Sequence, residues 1–558
     1  MFRASKKQKQ LDIFASITGM LKGSSYDQFT DNQAWHNMFR EHVVNRVDEN
    51  MFKSLFSERM GAPNASVKVL LGMMSLKEAF GWSDSELFER CRFDLLIRSS
   101  LGLYNITDSI PAESTYYLFR RKLHQYQRET GVDLVEQVFQ QITSDQVQTF
   151  NVSGRSIRMD SKLIGSNIAW TNRYELVHDT LALFCKAMDK KSRAKLTGET
   201  LTQLEDLSGI TGNKVVYRSN RDEVQQRMVK LGVLCYKVLS VFTEKDNKHY
   251  QTLKRVFEEH FRQDDVGRTD LKPNEDISSA SVQSPHDTDC AYRDKDGTKV
   301  KGYSVNVTET CDDDSLNLIT DVQITKANKP DTEYVKPAVD QTSKVLGHNP
   351  ENLHADGAYQ SPDNIEYCRE KEIAHYFTGL QGPVGRYDLT LNDDHLIVTD
   401  TQTGEIIPAR KCKSGKFGIK TEKGYRYFSQ QQIDTCLLRK QIEQMPLDKR
   451  VKRNNVEATI FQLCYHARNN KTRYRGIIQH RAWAILRCIW INLRRIISYV
   501  EQICQRTCFS GLELSKKLLF IGKSGLEAFL SSIFNLYHTF LKDFRFLHSK
   551  LALKKYHF

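Results

Sequence analysis

The hydrophobic period of the chain changes past Gln148, and the order of elements that follows constrains the fold more than any compositional property. TFNVSGRSIRMDSKLIG, ending at Gly165, is β-branched and alternating, and predicts a strand whose last residues include Asp160. Residues 172–265 return to a helical period with charged faces. Two strands follow, KVKGYSVNVTE over 299–309 and NLITDVQIT over 317–325, then a helix over 332–346 and a short strand, NLHAD, over 352–356. Residues 380–440 read as short strands with a polar middle, and helices occupy most of the chain from Val456 onward.

With the helical and β-rich insertions set aside, residues 148–500 read as three strands, a helix and a fourth strand. That order predicts a mixed α/β sheet of ribonuclease H type. It is preceded by a polar, basic arm (1–35) and an all-helical domain (36–127). In that domain SVKVLLGMMSLKEAF places Val69, Leu70, Met73, Leu76 and Phe80 on one stripe, and Ser83 with Glu86 forms a capping-box signature. A further helix from Ser114 carries Arg120, Arg121 and Lys122. The helical domain reads equally as a packing or dimer module and as a DNA end-binding unit.

Charge is unevenly spread. The 558 residues carry 81 Lys+Arg against 68 Asp+Glu, a net +13, yet the last 108 residues alone hold 19 basic against 5 acidic residues. A neutral body with a basic C-terminal part is the footprint of a polyanion, nucleic acid first and an anionic membrane second. The apolar stretches 482–500 and 518–541 are broken by Arg487, Arg494 and Arg495, and by Lys523 and Glu527, so they read as amphipathic helices and no membrane partner is expected. With no secretory signal and an ordinary 12 cysteines, the reducing cytoplasm is the expected compartment.

Asp160 and Asp356, each at a predicted strand end, and Glu457, near the start of a predicted helix, form a candidate oxygen-rich site. Each Asp is followed by a small residue, Ser161 or Gly357. Such a trio suits Mg2+, with Mn2+ as a substitute, and two ions would activate a water or 3′-hydroxyl and stabilise a leaving oxygen. With 68 acids in the chain, the rival reading of Asp160 and Asp356 is that of ordinary turn formers.

Several blocks in order resemble bacterial insertion-sequence transposases of the DDE type with an InsH-type N-terminal domain, the group numbered 1182 (related to groups 4 and 5) being most similar. They are VKVLLGMMSLKEAFGWSDSELFERCRFDLLIRSSLGL (67–103), RMDSKLIGSNIAW (158–170), SPHDTDCAYRDKDGTKVKGYSVNVTETCDD (284–313), HADGAYQSPDN (354–364) and VKRNNVEATIFQLCYHARNNKTRYRG (451–476). The resemblance implies that Asp160, Asp356 and Glu457 are catalytic and metal-binding. It implies strand cleavage at double-stranded transposon ends, the terminal inverted repeats, and strand transfer to target DNA, by a homodimer associated with the nucleoid. The alternative is a catalytically inactive or repurposed DNA-binding element protein.

Where related enzymes show a Tyr, Arg, Glu, Lys signature, this chain has Arg450, Arg453, Glu457 and Cys464, leaving Arg468, Lys471 or Arg473 to supply the last charge. Only Cys412 and Cys436 stand where many relatives carry a cysteine cluster, so no zinc is expected. Arg453, Arg468, Lys471, Arg473, Arg475, Arg481, Arg120 and Arg121 are candidate DNA contacts. His354, Gly357, Tyr359 and Asn167 are expected to support the site. Trp483 and Trp490, seven apart, read more readily as core than as base-stacking residues. The tail 501–558 is expected to be basic and helical.

Overall fold

The Ser66 hydroxyl accepts the Val69 N–H and opens the helix Val67–Phe80, which Gly81 ends in the left-handed conformation (φ 69°). In the computed structural model this helix is buried on almost every side rather than along one stripe, Val67, Leu71 and Met74 joining the predicted positions. Other helices surround it, and Trp490 closes an aromatic cluster with Trp35, Phe39 and Phe80. The next helix, Asp84–Phe93, starts with the capping box expected at Ser83 and Glu86. Ser83→Ala should cost about 1 kcal/mol, read as a lower urea midpoint of unfolding.

The structure describes residues 1–4, 15–58, 61–217, 219–242, 246–263, 268–295, 297–379, 385–392, 395–412, 415–421 and 424–518. Most of the expected basic tail, 519–558, and part of the arm, 5–14, lie outside these. The rest of the expected arm is packed rather than loose. Residues Ile17–Met20 and Ser24–Thr30 are helical, and Ile17 and Phe29 are buried, because both supply apolar side chains to the helical domain. That domain also extends past 127, through Glu113–Thr130 and Leu134–Phe150.

Strand β1 (Ser156–Gly165) opens the central sheet. Helices from Arg173–Ala187 to Lys248–His260 follow as an insertion with its own apolar core, closed by a hairpin of β2 (Phe261–Gln263) and β3 (Thr269–Leu271). Then come β4 (Ala291–Lys295), β5 (Thr298–Thr310), β6 (Ile319–Lys326), the helix Val335–Leu346, β7 (Asn352–Asp356) and β8 (Ala374–Thr378). The sheet order is β4-β5-β1-β7-β8, with β6 on the same edge of β5 as β4. β1 runs antiparallel to β5 and parallel to β7, and β7 is parallel to β8. β4 and β8 were not expected from sequence.

Asp160 does not end its strand. It sits mid-way along β1, opposite Val307, because the antiparallel ladder with β5 continues to Gly165. What ends near Asp160 is the parallel ladder with β7, whose last pair is Arg158 with His354.

A second insertion follows β8. It holds β9 (Tyr387–Asn392), β10 (His395–Asp400) and β11 (Ile406–Pro408) in one small sheet, and β12 (Arg410–Lys411), β13 (Phe417–Thr421) and β14 (Gly424–Phe428) in another. The helix Gln430–Glu443 packs on them around Leu389, Val398, Phe417, Phe428 and Ile433. The chain returns through Asn455–Cys464 and the long helix Ile477–Leu518. The described residues up to Arg495 form one compact unit, and those from Ile496 to Leu518 belong to another. Cys504, in the latter, is half-buried. Among the described residues no helix is long and apolar enough to cross a membrane.

Candidate active site

Side-chain alternation decides what the sheet presents. Ile157 and Met159 of β1, with Leu353 and Ala355 of β7, face the helix Val335–Leu346 and form a fully buried core. Arg158, Asp160 and Lys162 therefore share the opposite face with His354 and Asp356. Adjacent strands lie about 4.8 Å apart, and Asp160 and Asp356 each stand two residues past the last pair of the parallel ladder. Both carboxylates accept the following backbone N–H, Ser161 at 2.8 Å and Gly357 at 2.7 Å.

The helix Asn455–Cys464 covers this face with Glu457 in its first turn, where a carboxylate favours the helix dipole. Arg453, four residues earlier, holds its guanidinium 4.0 Å from Asp356 and 4.0 Å from Glu457. Burial pushes the Asp160 carboxyl up to about 6. The charges of Asp356 and Glu457 add to that, while the Ser161 N–H and Arg453 oppose it. The three acids thus meet electrostatically around one arginine. Among the described residues, no three Cys, His, Asp or Glu side chains already stand in a ligand arrangement.

A buried network fixes the covering helix. Glu309 of β5, fully buried, accepts Arg158 at 2.6 Å, Arg495 at 2.7 Å and the Thr459 hydroxyl at 2.7 Å. Burial alone would raise the Glu309 carboxyl, but the two guanidiniums and Thr459 hold it below the usual range. Arg158 also donates to Lys452 O at 3.1 Å, one residue before Arg453. Sequence reasoning missed Glu309, whose only signal was an acid placed between strand residues.

The supporting residues are placed as follows. His354 is fully buried, donates Nδ1–H to Lys449 O at 3.2 Å, and stacks on Tyr376; burial lowers it to about 4, so it stays neutral. Tyr359 is buried and donates to Asn306 Oδ1 at 2.7 Å. Gly357 supplies the N–H to Asp356. Asn167, just past the end of β1, clasps the 473–475 loop, its side-chain amide donating to Arg473 O and its backbone carbonyl accepting Arg475 Nε at 2.7 Å.

The basic candidates divide. Arg473 donates to Gly81 O and Trp82 O, Lys471 to Ile168 O at 3.0 Å, and Tyr474, buried, to Glu78. Arg487, also buried, donates to Glu78 O, Ala79 O, Leu463 O and Gln462 O. It thereby caps the C-termini of both Val67–Phe80 and Asn455–Cys464. The KTRYR stretch and Arg487 join the helical domain to the segment that carries Glu457. Arg481 pairs with Glu136 at 3.2 Å and Arg120 lies 3.9 Å from Asp84, whereas Arg468 and Arg121 are exposed. Trp483 and Trp490 are buried.

Cys464 stands where related enzymes carry lysine. Burial raises its thiol, and the Lys162 ammonium opposes that from the Asp160 face of β1. Lys162 is thus a charge beside the site that the sequence pattern did not single out. Cys412 is half-buried, and the Cys436 thiol donates to Asp388 at 3.2 Å in the insertion.

A family model described as "Transposase domain (DUF772)" matches residues 26–122, and one described as "Transposase DDE domain" matches residues 279–493. A cryo-EM structure of a piggyBac transposase synaptic complex with hairpin DNA aligns at 10% identity, covering 86% of this chain and 76% of that chain, with a TM-score of 0.28. Among curated proteins nothing matches.

Proposed function

We propose that this chain, with an N-terminal transposase domain followed by a DDE transposase domain, is an insertion-sequence DNA transposase that cleaves its element's ends and joins the freed 3′-hydroxyl to target DNA. The reading includes a ribonuclease H-like core, terminal inverted repeats as the bound duplex, a homodimer handling two ends, and membership of the group numbered 1182. One observation carries it: Asp160 and Asp356 share a face of adjacent parallel strands, and the helix bearing Glu457 lies over that face.

The donor chemistry fits a hard divalent cation. Asp160 is a desolvated carboxylate whose pKa is raised, a condition that a bound dication relieves. Glu457 joins the other two once Arg453 is withdrawn from between the acids. When bound, Mg2+ or Mn2+ there supplies Lewis-acid stabilisation of the phosphodiester and a more acidic water. The chain's own residues do the rest. Arg453, freed from the acids, becomes a fork for a substrate phosphate, and Lys162 takes the place of the missing lysine. The Glu309 network holds the Glu457 helix in register.

The test uses half-buried Asp356 and exposed Glu457, whose removal leaves the core intact. On a duplex carrying the element's end, with Mg2+, Asp356→Ala and Glu457→Ala are expected to bind as the parent does and to release no cleaved strand. Cleavage at the parental rate by either variant would overturn the catalytic assignment.

A further inference from the structure

The second insertion divides its charge between its two small sheets. Residues 385–405 hold one basic and five acidic residues, whereas residues 406–428 hold seven basic and one acidic. The basic half forms the β12-β13-β14 sheet, and its two faces differ.

Phe417 and Phe428 pair across one face and close the insertion's apolar core, and Arg426, on that same side, lies over Tyr387. The other face follows from the register. Gly418 pairs with Tyr427 and with Arg410, and Lys420 pairs with Tyr425, so Arg410, Lys420, Tyr425 and Tyr427 project together away from the core. Tyr425 is 69% and Tyr427 53% exposed, and Arg410 and Lys420 are exposed beside them. The two rings are nearly parallel, 21° apart with centroids at 6.4 Å. Gly418 permits this arrangement: a Cβ there would stand 3.0 Å from the Tyr427 ring.

Two exposed rings thus stand on one sheet face, flanked by two cations. They have the chemistry of a base-stacking platform with a phosphate-binding rim. The ring spacing selects the strand state. Bases in a duplex rise about 3.4 Å apart and stack on one another, so they offer no face to a tyrosine. Rings at 6.4 Å match successive bases of an extended, unpaired strand.

We propose that the β12-β13-β14 face binds unpaired DNA, with Tyr425 and Tyr427 each stacking a base and Arg410 and Lys420 contacting the adjoining phosphates. The source of such DNA rests on the transposase reading, in which strand cleavage at an element's end leaves unpaired nucleotides. The platform lies in the insertion and uses none of Asp160, Asp356 or Glu457, so it fails or stands separately from the catalytic assignment.

The experiment is fluorescence anisotropy of the full chain with a labelled 20-nucleotide mixed-sequence single strand and with the corresponding duplex. Tyr425→Ala/Tyr427→Ala is expected to weaken single-strand binding by about tenfold or more per tyrosine and to leave duplex binding within about twofold. Tyr425→Phe/Tyr427→Phe, which keeps both ring faces, is expected to retain parental affinity. Arg410→Ala/Lys420→Ala is expected to reduce the salt slope of single-strand binding by about 1.4. Parental single-strand affinity in the double alanine variant would overturn the proposal. So would equal losses for single strand and duplex, or a parent that binds no single strand at all. A parent that binds the single strand through these tyrosines yet never cleaves an end-bearing duplex would remove the transposase reading and keep the platform.

Discussion

Asp160→Asn is expected to abolish end cleavage, by about a thousandfold or more, and at the same time to raise the melting temperature of the metal-free protein. The loss follows from removing a carboxylate of the site, and the gain from removing a buried charge. Burial lifts the Asp160 carboxyl from 3.8 to about 6 in the folded state. Above pH 6 the folded chain therefore carries a charge that is cheaper to hold unfolded, and ionisation opposes folding. Asparagine keeps the shape and removes that charge, for a gain of about 1–3 kcal/mol. The gain is full above about pH 6 and disappears below about pH 4, where both states of the parent are protonated. Melting curves at pH 4 and pH 7.5 read the difference directly. A solvent-exposed aspartate would show neither the gain nor its pH dependence.

Glu309→Gln should have the opposite outcome for stability. The substitution leaves Arg158 and Arg495 facing an uncharged amide in the interior, and removing one partner of a buried ion network costs about 3–5 kcal/mol. Glu309 is held below the usual carboxylate range, so its contribution is present at neutral pH and is lost as pH falls through its folded value. The parent and variant should converge in acid and differ most near pH 7, as measured by urea midpoints. Cleavage should fall as well, because Thr459, on the same network, is two residues from Glu457.

The sheet was legible from sequence because its strands alternate and because Gly357, after Asp356, marks where the chain turns. Asp356 ends its strand as the pattern indicated. Asp160 does not, since an antiparallel ladder extends past it, and single-strand periodicity carries no information about where a neighbour stops. β8, AHYFT, has no clean alternation and was invisible for that reason. The trio was distinguishable among 68 acids only through ordered resemblance across five blocks. Glu309 was beyond reach: it lies 151 residues from Arg158 and 186 from Arg495, and its role exists only once three distant segments have packed. The basic C-terminal excess also had to be divided by structure, since Arg487 caps helices in the interior while Arg468 stays in water.

That same cluster sets a clock. Ribosomes add about 5–20 residues per second, so Arg495 is synthesised roughly ten to forty seconds after Glu309. During that interval the nascent chain holds the acid and one arginine but lacks the second guanidinium, which donates to the other carboxylate oxygen of Glu309. A chain that ends before residue 495 has Glu309 buried beside Arg158 without the guanidinium of Arg495. Order of synthesis thus sets order of assembly: Glu309 and Arg158 come first, and Arg495 closes the network last.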